Sequence, residues 1–317
     1  MITASVGNEA DPAVILHGHV DVVPAEANQF QPRVEGDRLY GRGAYDMKAA
    51  LAAMMLAMPA ADEVPEGLRI VLGIVSDEES EEGKDRGSDF LVDSGLRGDF
   101  AITGEPTDLH VGVAAKGILA IRLGVAGRAA HGSTPWLGDN AVLRAVEMFR
   151  GLESLPFARE SSELFDRPSV NLGRIWGGDA LNKVPDYCAI DVDIRYLPNQ
   201  SPDEILRQVK ELGPASIETI FALPPIDSGI DSPWVERLIE VADSHHDGTS
   251  ISIGRDGASD AVSFIRAGIP AVEFGPKGAG HHGPEEWVSI SSLVAYQKTL
   301  RDYLGIGAKL ADGNNDD

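Results

Sequence analysis

Short apolar segments alternate with segments of helical periodicity at both ends of the chain. The apolar segments have the length of buried strands: "PAVILHG", "LRIVLGIVS", "DFAIT" and "IPAVEFG". The helical segments are "DMKAALAAMMLAMPAA", "DAVSFIRAG" and "SSLVAYQKTLRDYL". This alternation predicts an α/β fold in which helices cover a mainly parallel sheet.

The middle of the chain has a different order of elements. Strand and helix patterns follow one another there as "ILAIRLGVAG", "NAVLRAVEMFRGLESL", "SVNLGRIWGG", "YCAIDVDIRYLP", "PDEILRQVKELG" and "SIETIFAL". This β-α-β-β-α-β order is ferredoxin-like. We therefore predict an inserted domain at 116–225 and a discontinuous main domain made of 1–115 and 226–317.

The excess of acidic residues limits the kinds of molecule that the protein is expected to bind. The chain has 317 residues, with 27 basic and 50 acidic side chains and a net charge of −23. Such a charge repels nucleic acid and anionic membranes and favours cationic ligands, so neither a nucleic acid nor a membrane is expected as a partner. The single cysteine, Cys188, cannot form an internal disulfide, and "MITASVGNEADP" lacks the pattern of a signal peptide. A cytoplasmic protein is expected.

Histidine and carboxylate side chains collect directly after the predicted strands. They are His19 and Asp21, Asp46 in "GRGAYDMK", Asp77, Glu78 and Glu79, Glu105, and His281 and His282. Because the carboxyl ends of parallel strands meet at one edge of a sheet, these side chains are expected to converge.

Converging carboxylates raise each other's pKa, and a divalent cation relieves that repulsion. Two imidazoles with three carboxylates suit zinc, and five ligands suit two metals that share one carboxylate. Each feature alone also has an ordinary explanation: a hydrogen-bonded pair for His19 and Asp21, a helix N-terminal carboxylate for Asp46, and a solvated loop for the acidic run. Their common position after strands favours the metal site.

Eight stretches in order carry a family resemblance: "GHVDVVP", "GRGAYDMK", "SDEESEEG", "TGEPT", "AHGSTP", "NKVP", "DIRYLP" and "HGPEEW". With them the chain resembles the di-zinc aminoacylase and carboxypeptidase family, which includes succinyl-diaminopimelate desuccinylase and acetylornithine deacetylase. The resemblance implies two divalent metal ions, zinc or alternatively cobalt or manganese. It also implies a small N-acyl amino acid or short peptide as substrate and a homodimer formed through the inserted lid domain.

The resemblance also implies a role for each matching residue. The implied metal ligands are His19 and Glu105 for the first ion, Glu79 and His282 for the second, and Asp46 for both. Glu78 is the implied general base, and Asp21 orients His19. His282 is preferred to His281 because of its spacing from the acidic-aromatic pair that follows.

Three residues of the inserted domain match as well. His131 is implied to reach the active site of the partner subunit and stabilise the oxyanion there. Asn182 and Arg195 are implied to contact substrate, and Arg195 could bind a substrate carboxylate with two hydrogen bonds.

The expected activity is hydrolysis of an amide by a co-catalytic metal pair. Desuccinylation of succinyl-diaminopimelate and deacetylation of acetylornithine are the two leading possibilities, followed by a metallo-carboxypeptidase or dipeptidase. A non-catalytic binding protein on the same scaffold is the alternative of another class. Glu78 separates the two classes, because a binding protein has no need of a general base.

Overall fold

The computed structural model describes residues 1–79, 86–229, 231–246, 249–257 and 259–306. The chain divides into two units. The first consists of Met1–Val113, Ser228–Ile253 and Ser259–Asp317, and the second of Ala114–Asp227 and Gly254–Ala258. The insertion predicted at 116–225 lies within the second unit.

The strands are β1 (Ile2–Val6), β2 (Ala13–His19), β3 (Arg33–Glu35), β4 (Arg38–Tyr40), β5 (Arg69–Val75), β6 (Phe100–Thr103), β7 (Val111–Ala115), β8 (Gly117–Ala126), β9 (Ser169–Gly177), β10 (Tyr187–Tyr196), β11 (Ser216–Leu223), β12 (Ile226–Asp227), β13 (Ser252–Arg255), β14 (Ala271–Glu273), β15 (Gly278–Ala279) and β16 (Trp287–Ser289). The helices are α1 (Ala49–Ala57), α2 (Gly87–Asp93), α3 (Ala141–Leu152), α4 (Pro202–Glu211), α5 (Pro233–Asp243), α6 (Ala261–Arg266) and α7 (Ile290–Tyr303). Within the described part of the chain, no helix has both the length and the apolar composition that crossing a membrane requires.

The sheet of the first unit is mixed, which corrects the expectation of a mainly parallel one. Its strands lie in the order β1-β5-β2-β6-β14-β7. The central four, β5, β2, β6 and β14, are parallel, whereas β1 is antiparallel to β5 and β7 is antiparallel to β14. The link between β6 and β7, residues 104–110, is too short for a crossover helix, so β7 returns in the opposite direction.

Buried apolar strands and helices make the core of this unit. Every residue of β2 is buried, as its continuous apolar sequence predicts for a central strand. Helix α1 lies against β2 and α7, and its buried side chains include Leu51 and Met54. This core holds the carboxyl ends of the parallel strands in fixed positions, which is where the polar residues singled out above are found.

The second unit has its own sheet and core. Its strands lie in the order β11-β8-β10-β9, and every neighbouring pair is antiparallel. Helices α3 and α4 contribute buried residues to one apolar cluster with β8 and β10. The connectivity is β-α-β-β-α-β, as the sequence pattern predicts.

Candidate metal centre

The polar residues predicted to converge lie at the carboxyl edge of the parallel strands of the first unit. His19 is the last residue of β2, Glu79 follows β5 and Glu105 follows β6. Because β5, β2 and β6 are adjacent and parallel, these three positions meet at the same edge.

The first group of metal-binding atoms surrounds one oxygen of Asp46. Nε2 of His19 lies 3.1 Å from Oδ1 of Asp46 and 3.9 Å from Oε1 of Glu105. The candidate ligand atoms of these three buried residues all lie within 4.8 Å of one another. Oε1 of Glu105 is buried and has no hydrogen-bond partner among the residues that the structure describes. Burying an ionised oxygen without a partner is costly, so a cation at this position fits the residues present.

The second group surrounds the other oxygen of Asp46. Oδ2 lies 2.6 Å from Nε2 of His281 and 3.3 Å from Nε2 of His282. Nε2 of His282 is in turn 3.1 Å from Oε1 of Glu79. Asp46 therefore presents one oxygen to each group, which is the arrangement that two cations sharing a carboxylate require.

Asp21 joins His19 to the loop that carries Glu79. Nδ1 of His19 is 3.1 Å from the backbone oxygen of Asp21 and 3.5 Å from its Oδ1. Oδ2 of Asp21 accepts a hydrogen bond of 2.9 Å from the backbone N–H of Glu79. A proton held on Nδ1 by Asp21 leaves the lone pair of Nε2 directed at the first group, as a metal ligand needs.

Crowding of acidic groups shifts several pKa values upward. Burial, reinforced by the charge of Asp46, raises the pKa of Glu105 well above its ordinary value. Burial and Asp46 also raise the pKa of Glu79. Burial and the neighbouring carboxylates raise the pKa of Glu78 to about 8. Each shift expresses the cost of placing another negative charge at this site.

The pKa values of Asp46 and His19 shift in the directions that stabilise the charged forms of both residues. Burial alone would raise the pKa of Asp46, but hydrogen bonds from His19 and His281 bring it below its ordinary value. Burial alone would lower the pKa of His19, yet hydrogen bonds to Asp21 and Asp46 raise it to about 12. The site thus favours a positive charge between its carboxylates.

A local departure from helical structure places Asp46 in the site. The sequence pattern predicts a helix from "DMK" onward, but α1 begins at Ala49. Residues 44–48 form an irregular turn in which the backbone of Asp46 is extended, with φ −120° and ψ 101°. Asp46 is therefore not part of an ordinary first helical turn, and its side chain reaches both groups of metal-binding atoms.

His281, to which the sequence analysis prefers His282, also lies at this site. Its Nε2 lies closer to Asp46 than that of His282. The backbone of His282 has a φ of 58°, which lies in the left-handed region. That conformation brings the two neighbouring rings together, with centroids 4.2 Å apart. A histidine doublet in the segment after the last predicted strand, "IPAVEFG", was the available signal.

The three residues predicted from the inserted domain lie in the second unit. The backbone N–H of Gly132 donates to the carbonyl oxygen of Asn182 at 2.7 Å, so the exposed His131 and Asn182 are on adjoining segments. Nε of Arg195, on β10, donates to Oδ2 of Asp193 at 3.0 Å. Their contacts with a substrate stay predictions.

Comparison with known proteins shows what the chain is similar to. Residues 15–305 match the peptidase family M20/M25/M40. A putative succinyl-diaminopimelate desuccinylase of Mycobacterium tuberculosis is 31% identical over 301 residues, which cover 92% of this chain and 82% of the relative.

Two solved structures share the fold. A tripeptidase of Staphylococcus aureus has a TM-score of 0.74 and 24% identity, covering 97% of this chain and 84% of its own. A metallo-carboxypeptidase of Sulfolobus solfataricus has a TM-score of 0.72 and 20% identity, covering 96% of this chain and 87% of its own.

Zinc is expected to stabilise the metal-free protein through Asp46. At a thousandfold excess over the dissociation constant, binding adds about 4 kcal/mol to the free energy of unfolding. In Asp46→Asn the shared charge is lost, so most of this gain should disappear in calorimetric melts. Asp302→Asn is the control, because Asp302 pairs with His245 at 2.6 Å, outside the metal centre. Equal stabilisation of Asp46→Asn and the wild type would contradict the shared ligand.

Proposed function

Because this chain belongs to the peptidase family M20/M25/M40 and is a hydrolase of amide or peptide bonds, we propose that it removes the acyl group from an N-acyl amino acid. A desuccinylase-type activity is the first candidate, supported by the 31% identical relative from Mycobacterium tuberculosis. The observation that carries the proposal is the position of Asp46 between two groups of metal-binding atoms. Glu78 directly precedes the proposed ligand Glu79 in the sequence.

Five side chains are proposed to hold two cations. His19 and Glu105 bind the first, Glu79 and His282 bind the second, and Asp46 binds both; His281 is a further candidate ligand of the second. The nitrogen and carboxylate donors suit zinc, with cobalt or manganese as alternatives. When bound, such a pair polarises an acyl carbonyl and lowers the pKa of water.

Glu78 is proposed as the general base and then the general acid. Its carboxylate accepts a proton from the attacking water, whose oxygen forms the new bond to the acyl carbon. The carbon–nitrogen bond then breaks, and Glu78 returns its proton to the leaving amine. The products are a carboxylate and a free amino acid. In the protein without bound cations, burial and neighbouring carboxylates raise the pKa of Glu78 to about 8, and the positive charge of two bound cations would lower it, as a general base requires.

The second unit is proposed to supply substrate contacts. The guanidinium of Arg195, oriented by Asp193, suits a substrate carboxylate. Asn182 lies beside the segment of His131 and offers an amide to the same substrate. His131 is exposed, and its Nδ1 is 2.8 Å from Oγ of Ser133, which leaves Nε2 as the atom that would stabilise the oxyanion.

A cytoplasmic homodimer formed through the second unit completes the proposal. Strand β9 is at the edge of its sheet, and most of its residues are exposed. Ile175 and Trp176 are more than two-fifths exposed on this strand. An unpaired edge with exposed apolar side chains is suited to pairing with the same strand of a second copy.

A panel of three substrates with added zinc tests the substrate class. An N-succinyl amino acid should exceed the matching N-acetyl amino acid and dipeptide in kcat/KM by about tenfold, or ~1.4 kcal/mol. The amino acid portion is kept constant so that only the acyl group changes. A preference for the dipeptide would assign the chain a peptidase activity instead.

Glu78 and Glu79 provide a matched pair of neighbouring substitutions. Glu78→Gln should keep two zinc ions per chain and lower kcat by about 10²–10⁴-fold, because only proton transfer is lost. Glu79→Gln should bind one zinc ion less. Elemental analysis and initial rates measure both. Hydrolysis at the wild-type rate by Glu78→Gln would remove the assignment of the base, and an inactive wild type with two zinc ions would indicate a binding protein.

Mixing of two inactive variants tests whether His131 acts in the partner subunit. His131→Ala should lower kcat by about 10²–10³-fold without changing metal content. Equal mixing with Glu78→Gln, after exchange of subunits, should restore about a quarter of wild-type activity, since half of the dimers gain one complete site. No recovery after confirmed exchange, or a monomer in solution, would contradict the role in the partner.

A further inference from the structure

We propose that Glu286 and Arg42 are positioning residues that fix the second cation site, although neither is a metal ligand. The inference rests on the proposed two-cation site and concerns what holds its ligands in place. Both side chains are buried, with relative exposures of 2% and 6%. They form an ion pair in which Nη1 of Arg42 is 2.5 Å from Oε2 of Glu286.

Glu286 binds the turn that carries Asp46. Its Oε1 accepts hydrogen bonds from the backbone N–H groups of Tyr45 and Asp46, at 2.9 and 3.1 Å. Its Oε2 accepts from the backbone N–H of Gly43 at 3.1 Å, in addition to Arg42. Four donors occupy about all the acceptor positions of one carboxylate. The extended backbone at Asp46 is thus held by hydrogen bonds that the turn itself does not provide.

Arg42 binds the segment that carries the two histidines. Its Nη2 donates to the carbonyl oxygens of His282 and Gly283, at 3.1 and 2.9 Å. His282 has a φ of 58°, a conformation that a residue other than glycine adopts at an energetic cost. The guanidinium therefore holds in place a backbone conformation that brings both imidazoles to Oδ2 of Asp46.

The ion pair connects the two sides of a single cation site. Through Glu286 it positions Asp46, and through Arg42 it positions His281 and His282. The first cation site depends on it less: Asp46 is shared, but among the described residues neither His19 nor Glu105 forms a hydrogen bond or ion pair with Arg42 or Glu286. Loss of the ion pair should consequently lower the affinity for the second cation more than the affinity for the first.

Glu286→Gln is the principal test, because glutamine has a similar shape and lacks the charge and one of the acceptors. Chelator competition should show the affinity for the second cation reduced by about 10–100-fold, with a smaller effect on the first. The visible spectrum of the cobalt-loaded protein should change at the second equivalent of metal. Glu285→Gln is the matched control, since Glu285 is the exposed neighbour that pairs with Arg33 at 2.6 Å.

Arg42→Lys provides a second variant that keeps the charge. Lysine lacks the forked donors of arginine and cannot bond Glu286 and two carbonyl groups at once. Arg42→Lys should therefore lower the affinity for the second cation, as Glu286→Gln does. Arg33→Lys is its control. This variant keeps the inference testable if Glu286→Gln does not fold.

The outcomes separate the inference from the proposed function. Wild-type affinities and an unchanged cobalt spectrum in folded Glu286→Gln and Arg42→Lys would overturn the positioning role. An equal loss of affinity for both cations, with a lower melting temperature and an unchanged cobalt spectrum, would also overturn the positioning role and leave only a structural one. A wild-type protein that binds fewer than two cations would instead remove the proposed two-cation site, and the inference with it.

Discussion

Repulsion between buried carboxylates is the constraint on which the site depends. Glu105, Glu79 and Glu78 all have raised pKa values because burial and the charge of nearby acids oppose ionisation. The fold does not separate these groups, and it leaves Oε1 of Glu105 without a hydrogen-bond donor among the described residues. A protein gains no stability from such crowding unless a cation enters. The raised pKa values therefore support metal binding independently of the distances between the candidate ligand atoms.

The partner of each carboxylate determines its part in the site. Asp46 faces imidazoles on both sides and keeps its charge, which suits a shared ligand. Glu286 is neutralised by Arg42 and by backbone N–H groups, so it is directed at the chain rather than at a cation. For Glu78, burial and the neighbouring acids outweigh the charge of His19, and its pKa is raised. Carboxylates of this site thereby differ in charge state and in what they face.

The sequence predicted those parts of the fold and site that follow from periodicity and from position after a strand. It placed His19, Glu79 and Glu105 at one edge because parallel strands end together. It did not predict the antiparallel direction of β1, since strand direction is set by pairing partners distant in sequence. It also extended α1 to Asp46, because helix propensity in "DMKAALAA" gives no sign of the hydrogen bonds from Glu286 that hold the turn open. It also gave no sign that His281 lies beside Asp46, next to a residue, His282, whose φ is in the left-handed region.

The two differences at the site, at Asp46 and at the histidine doublet, share one physical cause. The segments of Asp46 and of the two histidines each have a backbone held by a contact over 200 residues away in sequence, from Glu286 to Asp46 and from Arg42 to His282. Local sequence preferences would direct these segments elsewhere, so the ligands they carry depend on the buried ion pair more than on their own loops. The turn of Asp46 and the segment of His282 are both bonded to the ion pair of Arg42 and Glu286, so their positions depend on each other. A cation that binds Asp46 and His282 thus meets ligands already arranged for it and loses less affinity to the ordering of loops.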